Sequence, residues 1–269
     1  MKQEVSLSSA GQEQPESRQP LPRPASSRRT KDLYQPYETP TLIYEILRIL
    51  AVLLLAVIAR MRPRGRHHIP RQGPYIVAAN HLAWTDIPLI PIYLPHKVVY
   101  MAKEEVFQGR LRWLARFLGA FPVRRGEGDR QALRAAEAVL KAGRVLVIFP
   151  EGTRSRTRTL ARAHAGLGMI ALRSGVPVLP VAIWGSEDLF KKFRPEIHIV
   201  YGEPLLFKPQ GPKITREEIE EATERVMRSI AALLPASYRG VYAETLSAQS
   251  QAEDATAVHG SAAQDEPRL

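Results

Sequence analysis

The stretch YIVAANHLAWTD, residues 75–86, is the part of the chain around which the rest is organised. Its first five residues are apolar and predict a buried strand, so His81 comes at the carboxyl end of that strand. In open α/β sheets, ligands bind at this end of the strands. His81 and Asp86 lie five residues apart, and a regular helix would point them about 140° apart. A turn between them would join an imidazole base to an orienting carboxylate. The alternative is a loop histidine, with Asp86 capping a helix that starts near Pro88.

Beyond Gly73, strand-like and helix-like segments alternate. The apolar runs that predict strands are residues 75–79, 98–101, 145–149, 178–183 and 197–201. Apolar spacing and capping residues predict helices over residues 107–118, 129–143, 166–173 and 215–234. This alternation predicts an α/β fold with a mainly parallel central sheet flanked by helices. Pro177 and Pro180 indicate that the fourth of these strands lies at an edge, at a bulge or in a special turn.

The composition is that of a folded domain with a strongly basic charge. The 269 residues are 45% apolar and carry a formal net charge of +11. Residues 101–164 hold fourteen Lys and Arg against six Asp and Glu, so the positive charge is concentrated there. An acidic partner is expected: nucleic acid, anionic lipid headgroups or a phosphorylated metabolite. The chain has no cysteine, which excludes disulfides, thiol nucleophiles and cysteine metal sites.

The chain divides into four regions. Residues 1–38 and 236–269 are polar and without apolar periodicity, and they are predicted to be disordered tails. Residues 39–62 are predicted to form a helix that associates with a membrane, because residues 49–59 are continuously apolar and arginines follow. An in-plane helix is preferred over a single span, which needs about 20 apolar residues, or a buried helix. Residues 63–235 remain for one α/β domain.

A second polar segment, FPEGTRS at residues 149–155, also follows a predicted strand. Glu151 can orient a group or accept a proton, and Gly152 lets the backbone approach a ligand closely. Arg154 can bind a phosphate through two parallel hydrogen bonds. With one glycine the segment is not a Walker phosphate loop. Taken alone, the segment is more simply explained as a polar turn with a surface arginine.

Four motifs in this order resemble the lysophosphatidic-acid acyltransferases, within the wider glycerolipid acyltransferase group. Their N-H-x4-D motif is present as Asn80, His81 and Asp86, and their F-P-E-G-T-R-S motif is present in full. Residues 176–183 match their proline-containing apolar strand. The similarity covers about residues 65–205, so residues 63–235 are identified as a glycerolipid acyltransferase domain.

The remaining motif, G-x-x-F-[IV]-x-R, is only partly matched by residues 119–125. Gly119, Val123 and Arg125 agree with it, whereas Pro122 and Arg124 do not. The chain departs from the family at two further places. Ala83 stands where members often have serine, and residues 163–166 lack a lysine that many members carry.

The resemblance implies transfer of a fatty acyl group from an acyl thioester to the free hydroxyl of lysophosphatidic acid, giving phosphatidic acid for phospholipid biosynthesis. The acyl donor would be acyl-CoA or acyl-carrier protein, and no metal or other cofactor is expected. His81 would be the base and Asp86 its orienting partner. The residues implied to hold the acceptor's phosphate, with Glu151 orienting them, are Arg125, Gly152, Thr153 and Arg154.

Other acceptors stay open: glycerol-3-phosphate, a lyso-ornithine lipid or another lysophospholipid. A lipid-binding protein without catalysis is a different class, against which the intact His81 and Asp86 pair argues. Nucleic-acid binding is suggested by net charge alone, and no recognisable nucleic-acid module is present. The expected location is the cytoplasmic face of the cell membrane, on anionic lipid, as a peripheral, monotopic or single-pass protein.

Overall fold

A computed structural model of the protein describes residues 41–103, 120–123 and 130–244. A seven-stranded sheet runs through it in the order β1-β7-β6-β2-β5-β3-β4. The strands are β1 (Arg60–Arg64), β2 (Ile76–Ala79), β3 (Val98–Lys103), β4 (Phe121–Val123), β5 (Val145–Ile148), β6 (Val178–Trp184) and β7 (Glu196–Tyr201). Neighbouring strands are parallel except β6 and β7, which are antiparallel. The predicted mainly parallel sheet is confirmed.

Helices cover both faces of this sheet. They are α1 (Thr41–Ile58), α2 (Asp86–Leu89), α3 (Arg130–Lys141), α4 (Gly166–Ser174) and α5 (Arg216–Leu233). One apolar core lies between the sheet and α3, α4 and α5, and a second contains residues of α1 and α2. The predicted capping box at Thr215 is present with both of its hydrogen bonds. The predicted helix over residues 107–118 lies outside the described residues.

Strand β2 shows how the sheet positions the residues that follow it. Ile76 and Ala78 face the first core while Val77 and Ala79 face the second, and all four are fully buried. The Asn80 side chain then continues the pairing of β2 with β6. Its amide nitrogen donates to the Ile183 carbonyl, and its oxygen accepts from the Ile183 N–H, both at 2.8 Å. These two bonds fix the path of the chain directly before His81.

Pro177 precedes β6 and Pro180 lies within it, but β6 is not an edge strand, because it lies between β7 and β2. The edge interpretation was therefore wrong. The register with the returning chain shifts by one residue between the Val178–Leu205 and the Val181–Tyr201 pairs. Pro180 lies at that shift, where its carbonyl accepts from Gly202 N at 2.8 Å. Pro180 has no N–H to donate, and it lies where a bulge interrupts the hydrogen bonding between β6 and the returning chain. This agrees with the prediction of a bulge.

The N-terminal helix ends at Ile58, and Arg60–Arg64 form edge strand β1. The prediction of helix through residue 62 was wrong there. The segment alternates exposed arginines with half-buried Met61 and Pro63, which is the period of a strand. Its arginines occupy an edge, where charge and proline oppose pairing with other chains. None of the helices in the described ranges is long and apolar enough to cross a membrane.

The predicted C-terminal tail begins later than residue 236. Residues 236–242 form two short 3₁₀ turns that pack on Leu160. Leu160 N donates to the Tyr238 carbonyl at 2.8 Å, and the Leu160 carbonyl accepts from Val241 N at 3.3 Å. Tyr242 is buried in the first core, and this burial holds the segment to the domain. The tail prediction was wrong for these residues, while residues 1–38 and 245–269 lie outside the described ranges.

Candidate active site

Three adjacent parallel strands end at the same edge of the sheet, and each is followed by a buried polar residue. His81 follows β2, Glu151 follows β5 and Ser186 follows β6. The Ser155 N–H donates to the His81 carbonyl at 2.8 Å, which ties the two motif loops together. The structure therefore brings both predicted motifs to one place, at the edge where α/β sheets bind ligands.

His81 and Asp86 form a hydrogen-bonded pair. The His81 Nδ1 lies 2.8 Å from the Asp86 Oδ2. The Asp86 side chain is fully buried, whereas that of His81 keeps 10% of its surface exposed. A carboxylate accepts from Nδ1–H, so Nε2 carries the lone pair, and within the described chain Nε2 has no protein partner. The imidazole is oriented as a base with a free nitrogen.

Asp86 is held by three further donors besides His81. Its Oδ2 accepts from the N–H groups of Leu82 at 2.6 Å and Ala83 at 2.8 Å. Its Oδ1 accepts from the Ser186 hydroxyl at 2.5 Å. A turn closed by the Asp86 N–H and the Ala83 carbonyl makes this possible, as the five-residue spacing requires. Ala83 contributes its backbone N–H, so the presence of alanine where family members often have serine leaves this network intact.

One face of the His81 ring packs against an aromatic side chain. It stacks on Phe149 with ring centroids 4.0 Å apart and planes inclined by 16°. Tyr100 lies beyond Phe149 at 6.3 Å in a similar orientation. With Asp86 fixing one ring edge and Phe149 one face, the imidazole has little freedom to turn away from a substrate.

Glu151 joins the loop that contains His81 to its own loop through hydrogen bonds of its buried side chain. Its two carboxyl oxygens accept from the His81 N–H and the Ala161 N–H, both at 2.9 Å. Burial raises the pKa of the Glu151 carboxyl to about 7, although these two hydrogen bonds favour the charged form. Its contacts are with backbone, so Glu151 is placed to orient the loops.

The rest of the second motif is more open. Gly152 has a φ of +68°, and a side chain there would collide with His164, whose Cδ2 lies 2.7 Å from the Cβ position. Thr153 and Arg154 are exposed, and the Arg154 guanidinium lies 4.4 Å from the centre of the Trp84 ring. In the described ranges the N–H groups of Thr153 and Arg154 donate to no protein acceptor. Those of Leu82 and Ala83 are already bound to Asp86.

The sequence interpretation missed three contributors: Ser186, Phe149 as the ring partner, and Trp84. Ser186 could have been noticed, since it comes three residues after the strand predicted over residues 178–183, at the same sheet edge as the motifs. Arg125, predicted to bind phosphate, lies outside the described residues. No group of three or more His, Asp or Glu side chains that could hold a metal occurs among the residues described.

A histidine with an orienting carboxylate at the carboxyl edge of an α/β sheet is an arrangement that can activate a hydroxyl for group transfer. Residues 60–184 match the protein family described as Acyltransferase. The lyso-ornithine lipid O-acyltransferase of Pseudomonas aeruginosa is 35% identical over 208 residues, covering 74% of this chain and 73% of that protein. The 1-acyl-sn-glycerol-3-phosphate acyltransferase of Bacillus subtilis is 28% identical over 187 residues, covering 67% and 91%.

A solved structure agrees with these sequence relatives. The crystal structure of the 1-acyl-sn-glycerophosphate (LPA) acyltransferase PlsC from Thermotoga maritima matches with a TM-score of 0.54 and 30% identity. The match covers 68% of this chain and 77% of that one. The chain belongs to the acyltransferase family that includes the 1-acyl-sn-glycerol-3-phosphate O-acyltransferases.

Proposed function

We propose that the protein transfers a fatty acyl group from an acyl thioester to the free hydroxyl of lysophosphatidic acid, giving phosphatidic acid. The observation that carries this proposal is the buried His81–Asp86 pair, with Nδ1 bound and Nε2 free. A free alcohol is a weak nucleophile and needs such a base.

The reaction balances with these groups alone. His81 Nε2 accepts the proton of the acceptor hydroxyl, and the hydroxyl oxygen attacks the thioester carbonyl. The tetrahedral intermediate collapses to the ester and expels the thiolate, which takes the proton from the His81 imidazolium. Asp86 stabilises that cation between the two steps. The donor is acyl-CoA or acyl-carrier protein, and no acyl-enzyme is formed.

The exposed loop supports a phosphorylated acceptor. The Arg154 guanidinium is held over Trp84 and remains available to an anion. The N–H groups of Thr153 and Arg154 are free within the described chain, and they follow a glycine with left-handed backbone. In this proposal Gly152, Thr153 and Arg154 bind the phosphate, together with Arg125.

A lyso-ornithine lipid is the second candidate acceptor. It is favoured by the 35% identity to an enzyme of that name. An ornithine headgroup offers a carboxylate and an amine in place of a phosphate, so it would use Arg154 differently. Proton transfer by His81 would be the same for both acceptors.

We infer that the enzyme works at a membrane surface, peripherally and on its cytoplasmic face, because the proposed substrates are lipids. Helix α1 supports this placement through a row of exposed apolar side chains: Ile43, Ile46, Leu47, Ile49, Leu50, Val52, Leu53, Leu54 and Val57. A large apolar surface of this kind is stable when lipid covers it. Removing residues 1–58 is expected to reduce binding to anionic vesicles.

A panel of acceptors tests the proposed activity. The purified enzyme is given one acyl-CoA with lysophosphatidic acid, glycerol-3-phosphate, lyso-ornithine lipid or lysophosphatidylcholine, and products are identified by mass spectrometry. Phosphatidic acid is expected as the fastest product. Faster acylation of lyso-ornithine lipid would favour the second candidate, and no acylation of any acceptor would contradict both.

A further inference from the structure

The connection between β6 and β7 displays two phenylalanines to solvent. Phe190 is 82% exposed and Phe193 is 95% exposed, the highest values among the exposed large apolar residues of the described chain. Isolated exposed apolar residues are common on proteins. Two aromatic rings that are this exposed and only three residues apart indicate a binding surface.

The backbone of this connection is an ordered turn. The Asp188 carbonyl accepts from Lys191 N at 2.9 Å and from Lys192 N at 3.1 Å. The Lys192 ammonium lies 2.7 Å from the Asp188 carboxylate and ties the side chains across the turn. The rings are therefore presented by a fixed scaffold, which lowers the entropy lost when they bind.

Positive charges alternate with the two rings. Lys191, Lys192 and Arg194 are all exposed, so the segment reads Phe-Lys-Lys-Phe-Arg. Aromatic rings favour the boundary between lipid headgroups and acyl chains, and neighbouring lysine and arginine are attracted to anionic headgroups. This combination fits an anionic bilayer better than a protein, whose interface cores are depleted in lysine.

The turn is joined to the end of α1. The Arg194 guanidinium donates to the Ala56 carbonyl at 3.3 Å, and Arg60 N donates to the Pro195 carbonyl at 2.9 Å. Val57, in the same last turn of α1, is itself exposed. Near its other end the connection contains Ser186, which binds Asp86. One segment thus runs from the catalytic carboxylate to the apolar surface of α1.

We propose that the turn of residues 188–194 is a second membrane contact, in which Phe190 and Phe193 enter the headgroup region of an anionic bilayer while Lys191 and Arg194 contact lipid phosphates. The inference rests on the proposed function in one respect: an enzyme with lipid substrates must reach the bilayer. It adds a contact that is independent of α1 and close to the site.

The test is cosedimentation of the full chain with vesicles of phosphatidylcholine and phosphatidylglycerol in equal parts, or of phosphatidylcholine alone. Phe190→Ser combined with Phe193→Ser should weaken binding to the anionic vesicles about tenfold or more. Lys191→Glu should weaken it only on the anionic vesicles. The matched control is Leu206→Ser with Val241→Ser, two exposed apolar residues outside the turn, which should leave binding unchanged.

Equal binding by the phenylalanine variant and the wild type would overturn the proposal, as would an equal loss in the Leu206 and Val241 control. A wild-type dimer that the phenylalanine variant converts to a monomer, with vesicle binding unchanged, would assign the turn to self-association instead. Acylation of a short-chain lysophosphatidic acid below its micellar concentration is measured in parallel. The phenylalanine variant should retain that activity, and its absence in the wild type would contradict the proposed function without affecting the vesicle result.

Discussion

The buried pair and the exposed loop of the site are built in opposite ways. Asp86 is fixed by two backbone N–H groups of its own turn and by the Ser186 hydroxyl. His81 is fixed by Asp86 and by the face of the Phe149 ring. Thr153 and Arg154 are exposed, and Arg154 rests on Trp84. The two regions are adjacent, since the Ser155 N–H binds the His81 carbonyl.

This difference follows from what each region has to do. A proton acceptor must be aligned before the reaction, because reorganisation during the reaction would raise the barrier. A headgroup arrives from solvent or from a membrane, and its binding groups need to be reachable. Substitutions in the buried pair should therefore lower kcat, and substitutions in the exposed loop should raise the KM of the acceptor.

Among the residues that support His81, the largest effect is expected from Asp86→Asn. An asparagine can keep its oxygen toward His81 and turn its amide toward the Ser186 hydroxyl, so the fold is retained while the charge is lost. We expect kcat to fall about 10³-fold with little change in the acceptor KM. Steady-state kinetics and the thermal unfolding midpoint check this together, and a loss that appears mainly in KM would contradict the assignment.

Glu151→Gln should change how folding stability depends on pH. The folded pKa of about 7 lies above the ordinary 4.5, so folding favours the protonated carboxyl. The protonated Glu151 carboxyl stabilises the folded state in full below pH 4.5, and this stabilisation is lost as the pH rises to about 7. Relative to Glu151→Gln, the wild type should lose on the order of 3 kcal/mol of unfolding free energy across that range. Denaturant unfolding at several pH values measures this free energy for both proteins. If it changed equally with pH in the wild type and the variant, the pKa of the Glu151 carboxyl would not be raised by folding.

Arg154→Ala should raise the KM for lysophosphatidic acid about tenfold while the KM for the acyl donor and kcat stay near wild type. Arg156→Ala, at an exposed arginine two residues further on, is the matched control and should change neither constant. Trp84→Ala should give a smaller increase, because it removes the ring over which Arg154 lies. An unchanged acceptor KM in Arg154→Ala would remove this residue from the headgroup site.

The smallest effect on the buried pair is expected from Ser186→Ala. It removes one of the donors to Asp86 and leaves His81, Leu82 and Ala83 in place. We expect kcat to fall about tenfold with the acceptor KM unchanged. Ser186→Thr keeps the hydroxyl and should restore most of the loss. A variant with full activity would show that the backbone donors alone position Asp86.

The elements that the sequence predicted well are those whose pattern is local. Five of the strands and the capped helix after Thr215 follow from apolar runs and a capping box. The site could be placed because parallel strands end at a common edge, which brings His81 and Glu151 together without knowledge of side-chain contacts.

What the sequence did not reveal depends on distant pairing. Strand β1 exists because Arg60–Arg64 align with β7, 136 residues later, and its arginine-rich composition concealed the alternation. Pro180 is central because the register shift that accommodates it involves residues 201–205. The position of Ser186 after a predicted strand places it at the sheet edge of the motifs, but nothing in the sequence indicates that its hydroxyl binds Asp86, 100 residues earlier.

The most direct test of the central claim compares the two histidines of the site. His81→Ala and His164→Ala are purified, checked for folding, and assayed in a single turnover with acyl-CoA and lysophosphatidic acid. His164 lies against Gly152 and is not among the residues of the described chain that hydrogen-bond to Asp86, so its loss should change the rate only a few-fold. Loss of His81 should slow acyl transfer by about 10²- to 10⁴-fold. A His81→Ala enzyme with a near-wild-type rate, or an equal loss in both variants, would contradict the assignment of His81 as the base.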